Sequence, residues 1–191
     1  MDCKKNMRLE DIALLPLHFG ADNAAIIETD LVKTDAAFRD MCRSNACGMY
    51  GKCHMCPPDV GDIECLMAEV KQYDYALVYQ TMSELEDSYD YEGMVEAKKK
   101  CYPLAQNIRQ AFLDGGIFKA LHLGAGGCGG CETCTKREGK PCIAPERALA
   151  SLEAYGINVS ALAAAAGMKY INGQNTVTYF GAVLFSLEDR V

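Results

Sequence analysis

Cys128, Cys131 and Cys134 follow one another as C-x2-C-x2-C, and Cys142 comes after seven intervening residues. Thiols gathered this densely bind metal or carry out redox chemistry. Zinc ribbons present two separate C-x2-C hooks. Three thiolates in successive steps of three instead let one loop wrap several corners of an iron-sulfur cubane. Bacterial ferredoxins use C-x2-C-x2-C-x3-C-P, and the first three positions here fit that spacing. The fourth departs from it, because the gap to Cys142 is longer and the proline stands three residues further on, at Pro145. In two-cluster ferredoxins the fourth cysteine of such a run serves the other cluster. Cys142 is assigned here to the local site, and capping a site begun elsewhere in the chain is the alternative.

A second group, Cys42, Cys47, Cys53 and Cys56, reads C-x4-C-x5-C-x2-C-P-P. Its spacing suits a zinc knuckle as well as a cluster, although Cys56-Pro57 reproduces the Cys-Pro step of ferredoxin motifs. His54 lies between two of these hooks and is a weaker ligand candidate than the thiols. The glycines around the later group let the backbone come close and aim N–H groups at cluster sulfurs, which helps set a reduction potential. Gly124, Gly126 and Gly129 also match G-x-G-x-x-G after an expected strand, but no helix-forming run follows, so the dinucleotide reading lacks its confirming element. A structural zinc site that folds the loop remains the plainer alternative for the later group.

The residues of both groups resemble a cysteine-rich family known as "predicted metal-binding protein", a domain of unknown function. The resemblance is carried by Cys42, Cys47, "MYGKCHMCPP", "GAGGCGGCETC", "KPCIAPERALASLEAYGIN" and "TVTYFGAVLF". It runs from about Cys42 to Phe185 and implies metal binding. It also implies a first motif centred on Cys42, Cys47 and Cys56, to which Cys53 is an addition. The first site then holds three thiolates or four. Four suit electron transfer, whereas three leave an iron open to a substrate or a partner's ligand, the same contrast that separates structural from catalytic zinc.

The elements that must position these thiols follow from periodicity. Strands are expected at "AAIIETD", "DYALVYQT", "IFKALHLGAG" and "TVTYFGAVLFSL", the last apolar on both faces and therefore central in its sheet. Helices are expected near Thr34, over "IECLMAEVKQY", over "PERALASLEAYGI" and at "NVSALAAAAGM". A long amphipathic helix carries Leu104, Ile108 and Phe112 on one stripe, and Pro103 should kink or split it. Gly115 and Gly116 end it. Alternating helices and strands predict an α/β or α+β layered domain with a central mixed sheet flanked by helices, spanning 1–191, with cysteine loops at about 42–62 and 124–145.

With 191 residues, half of them hydrophobic, the chain can bury a core without disulfide staples. Its formal charge of −7 argues against a nucleic-acid partner. No export signal or membrane-length apolar run is present, which predicts a cytoplasmic protein whose eleven cysteines stay reduced. Cys3, Cys65 and Cys101 fall outside both groups; the latter two, on expected helices, read as small buried apolar residues. His122, at the end of the third strand, reads as a core histidine that could alternatively hydrogen-bond a cluster. Lys136, Arg137 and Lys140 either offset thiolate charge, guide an acidic partner or are merely solvated.

The functional expectation is an iron-sulfur protein with one or two clusters, [4Fe-4S] by type, passing single electrons to a redox partner protein. Its ligands come from Cys42, Cys47, Cys53, Cys56, Cys128, Cys131, Cys134 and Cys142. The alternatives are a zinc-binding interaction module and an enzyme with an open cluster iron. For the latter only His54 and His122 offer acid–base chemistry. No P-loop, H-E-x-x-H, G-x-S-x-G or radical S-adenosylmethionine C-x3-C-x2-C motif occurs.

Overall fold

A computed structural model describes residues 7–187; Cys3 lies outside them. Five strands, β1 (Asn23–Glu28), β2 (Tyr75–Glu84), β3 (Ala120–Gly124), β4 (Ala150–Ser151) and β5 (Thr176–Phe185), form one sheet in the order β1-β2-β5-β3-β4. All neighbours run antiparallel except β3 and β4, which are parallel, so the sheet is mixed. The doubly apolar β5 lies at the centre as its pattern predicts. The register of β2 on β5 sets Leu77 opposite Val183 and Tyr79 opposite Gly181. Gly181 is required there: a Cβ would stand 2.4 Å from the Tyr79 ring.

Six α-helices cover the two faces: α1 (Leu9–His18), α2 (Ala36–Asp40), α3 (Ile63–Val70), α4 (Tyr91–Lys99), α5 (Cys101–Asp114) and α6 (Val159–Ala165). Alternation along the strands divides the core in two. Leu77, Tyr79, Val183 and Phe185 meet Ile12 of α1 and Leu104, Ile108 and Phe112 of α5. Ala76, Val78, Phe180, Ala182 and Leu184 meet Leu66 and Val70 of α3 and Leu162 of α6. Asp62 caps α3 by accepting from the Glu64 and Cys65 amides at 3.0 and 3.2 Å, and Asn158 caps α6 through the Ala161 amide at 3.0 Å.

Pro103 splits the long amphipathic segment. Lacking an N–H, it cannot donate to the Lys99 carbonyl, so α4 ends there and α5 takes the proline into its first turn. Two expectations are corrected. "PERALASLEAYGI" forms no α-helix: it makes a 3-10 turn at Pro145–Arg147, the short β4, and a second 3-10 turn at Glu153–Tyr155 before Gly156 at φ +69°. Sheet pairing of Ala150 and Ser151 with Leu123 and Gly124 overrides helical propensity. Cys65 is exposed rather than buried, because α3 turns Leu66 and Val70 to the core. Helix α1 lies in a stretch for which the pattern predicted no element.

His122 on β3 is a core residue. It is buried, packs edge-on to Phe112 at 5.6 Å, and has no hydrogen-bond partner for Nδ1. Burial, aided by the nearby Arg109 charge, lowers its pKa from 6.5 to about 3. The unfolded chain therefore binds a proton below about pH 6.5 that the folded chain refuses, so stability is full above that value and declines as pH falls toward 3. His122→Leu is expected to flatten this decline. Relative to neutral pH, the variant should lose roughly 2 kcal/mol less than the unaltered protein at pH 5, at about 1.4 kcal/mol per pH unit. Urea unfolding at the two pH values measures it, and parallel pH curves would refute it.

Candidate metal centre

Both cysteine groups lie on loops. The first runs from the 3-10 turn at Met41–Ser44, after α2, to the Asp62 cap of α3. The second leaves β3 at Gly124 and returns at Ala150, its neighbour in the sheet, so parallel pairing of β3 and β4 holds both ends of this excursion together.

Side-chain ties join the loops. Lys136 pairs with Asp59, both side chains partly buried, and His54 Nε2 donates to the Lys140 carbonyl at 2.9 Å. Arg137 reaches Met49 Sδ at 3.9 Å. The base of the second loop rests on α5. Arg109 donates to the carbonyls of Glu146 and, at 3.3 Å, Ala148, while Gln106 and the Tyr102 hydroxyl donate to Arg147 O at 3.0 and 3.2 Å. Tyr102 also underlies the glycine pair. Gly129 has φ +76°, and a Cβ on Gly130 would stand 2.8 Å from the Tyr102 hydroxyl. The glycines thus let the backbone lie flat on a ring.

Cys53, Cys128, Cys131, Cys134 and Cys142 line one cavity of about 90 Å³ between the loops. Leu149 N–H donates to Cys128 Sγ at 3.3 Å, and the Gly130 amide also points to that sulfur. Burial pushes the Cys128 thiol up while these two amides draw it down. Cys53 is 1 % exposed. The Cys56 thiol donates to its sulfur, and amides of Cys128 and Met55 and the Cys134 thiol add to this, holding Cys53 well below the ordinary thiol range. Cys56, as donor in that contact and buried, is pushed up. The remaining first-group cysteines lie apart from the cavity: Cys42 is half-buried and pushed up chiefly by burial, and Cys47 is exposed. Both add negative potential at Cys56.

The chemistry of this donor set fits a thiolate-bound metal group, because soft sulfurs share one cavity wall and receive main-chain N–H donors as metal thiolates do. Among the described residues, no three Cys, His, Asp or Glu side chains are drawn together closely enough to hold a single ion as they stand. All ten described cysteines are unpaired. His54 is spent on a carbonyl between the loops. Of the three cations in "KREGK", Lys136 and Arg137 join the loops, whereas Lys140 pairs with Glu138 in solvent at 2.6 Å. Cys101 is half-buried against Thr81, 3.8 Å away. Residues following Gly129 form no α-helix, only a 3-10 turn at Thr135–Glu138, so the glycine fingerprint lacks the helix that a nucleotide site would open. Arg109, Tyr102 and Met49 were missed from sequence. Arg109 sits beside the apolar stripe of an amphipathic helix, where a cation ordinarily faces water, and nothing local marks its carbonyl partners.

A family model described as "Predicted metal-binding protein (DUF2284)" matches residues 25–185. No curated protein and no solved structure matches the chain. No described helix is long and apolar enough to cross a membrane.

The Arg109 contacts position the amide that meets Cys128. Arg109→Leu is expected to lower stability by about 1.5–3 kcal/mol through loss of charged hydrogen bonds and to speed metal removal by a chelator. Urea midpoints and chelator kinetics measure the two effects; unchanged kinetics would show that the base of the loop does not govern the centre.

Proposed function

We propose, from the premise that this chain belongs to the predicted metal-binding protein family, that its metal group is iron-sulfur, of the [4Fe-4S] type, and that the protein transfers single electrons. The observation carrying this reading is the wall of five cysteines around one cavity with main-chain amides directed at Cys128. Cys128, Cys131 and Cys134 supply thiolates from one wrapping loop, in the spacing shared with ferredoxin runs. When bound, such a cluster accepts and returns one electron at a potential set by its hydrogen bonds and exposure. The chain's own part is to hold the sulfurs, direct amides toward them, and shield the inner side with Met49, Met55 and Cys53.

The electron acceptor is a partner protein in this reading. Supporting it, Ile143, next in sequence to the cavity-lining Cys142, is 72 % exposed, an apolar side chain that a partner could cover. Acid–base catalysis finds little support: His54 is committed to the Lys140 carbonyl and His122 is buried on β3.

Protein purified without oxygen should be brown, bleach on dithionite, and carry iron and acid-labile sulfide in equal amounts, about four of each for one cubane or about eight for two. Zinc without sulfide would overturn the iron-sulfur reading and make the thiols a structural centre that holds the loops.

A further inference from the structure

Cys53 belongs by sequence to the first cysteine group, but its side chain lies on the wall of the second. Four observations set its place. It is the most buried of the described cysteines, it receives a hydrogen bond from Cys134, the main-chain amide of Cys128 points to its sulfur, and it touches Cys56. Its group neighbours do not follow it: Cys42 and Cys47 are not among the residues lining the cavity, and their charges act on Cys56. The two-residue spacing of C-x2-C therefore divides here, with Cys53 on the cavity wall beside Cys128, Cys131 and Cys134, and Cys56 off that wall and within electrostatic reach of Cys42 and Cys47.

From this arrangement, and resting on the reading of both groups as metal ligands, we infer that Cys53 is a ligand of the second centre, that the first centre is held by Cys42, Cys47 and Cys56 alone, and that the two centres abut through the Cys53–Cys56 contact. Two consequences follow. The first centre has only three protein thiolates, one of them the exposed Cys47, which leaves a coordination position for an exogenous ligand. The second is crossed by both loops, so its assembly and the docking of the first loop are one event. The half-buried Lys136–Asp59 pair and the His54–Lys140 hydrogen bond hold that docking from outside the cavity.

Four chains test this: the unaltered protein, Cys42→Ser, Cys131→Ser and Cys53→Ser, each purified without oxygen, with metal and sulfide counted per chain and the spectrum of the reduced form recorded. Cys42→Ser leaves the signature of the second centre, and Cys131→Ser that of the first. Cys53→Ser is expected to match Cys131→Ser, losing about half of the metal while keeping the first-centre signature. A match to Cys42→Ser, or full retention of metal, overturns the inference. If Cys53→Ser does not fold, alkylation decides. In the Cys131→Ser chain, Cys53 should become reactive toward iodoacetamide while Cys56 stays protected; protection of both would place Cys53 in the first centre. Finding zinc and no sulfide would defeat the iron-sulfur reading alone, because the same loss of half the metal would still report the division of ligands.

Discussion

The meeting of the two cysteine loops at a buried Cys53 is the contact on which the rest of the candidate centre depends. Neither loop has a strand or α-helix of its own, and stretches longer than about 12–15 residues without such support are uncommon unless they serve a function. Each must be fixed from outside. Main-chain pairing at β3 and β4 fixes the ends of the second, and the α2 and α3 termini fix the first. Their mutual register is left to side chains: the Lys136–Asp59 pair, the His54 hydrogen bond and the thiol contacts of Cys53. A bound metal group would add the largest single tie, since its binding free energy is available only to the chain that has brought both loops together.

Charge and solvation are consistent with that arrangement. Buried thiols resist ionising, and burial raises Cys42 and Cys128 accordingly. Amides from Leu149, Gly130, Met55 and Cys128 oppose this at the sulfurs they face. The cavity thereby supplies locally the hydrogen bonds that stabilise thiolate, the form that binds metal. Support for those amides comes from α5, a helix whose apolar stripe is anchored in the core. Leu104, Ile108 and Phe112 face the sheet, while Tyr102, Gln106 and Arg109 on an adjoining face grip the carbonyls of residues 146–148. Core packing and site geometry are thus transmitted through one rigid element.

Much of the layered fold was legible as periodicity. β2 and β5 are apolar on both faces because they are central and covered by helices on each side, and both were readable as strands. The split of α4 from α5 followed from the missing N–H of Pro103. Failures came where tertiary contacts outweighed local preference. Residues 145–156 have a proline and a glycine placed as helix punctuation, yet their backbone pairs with β3. Cys65 sits on a helix as expected but on its solvent face, because neighbouring Leu66 and Val70 take the core positions.

For the site, the sequence by itself determined the donor chemistry. Repeated thiols at C-x2-C-x2-C, flanked by glycines, place three soft sulfur donors on one short loop, the donor type that a predicted metal-binding family calls for. Which thiols share a cavity depended on how two segments distant in sequence dock, and spacing carries no information about that. Only two residues separate Cys53 from Cys56, but a turn directs one sulfur into the cavity with Cys128 and Cys134 and leaves the other off its wall, within electrostatic reach of Cys47 and Cys42. Only the tertiary structure decided that division, since the direction of a side chain from a loop is set by what the loop packs against.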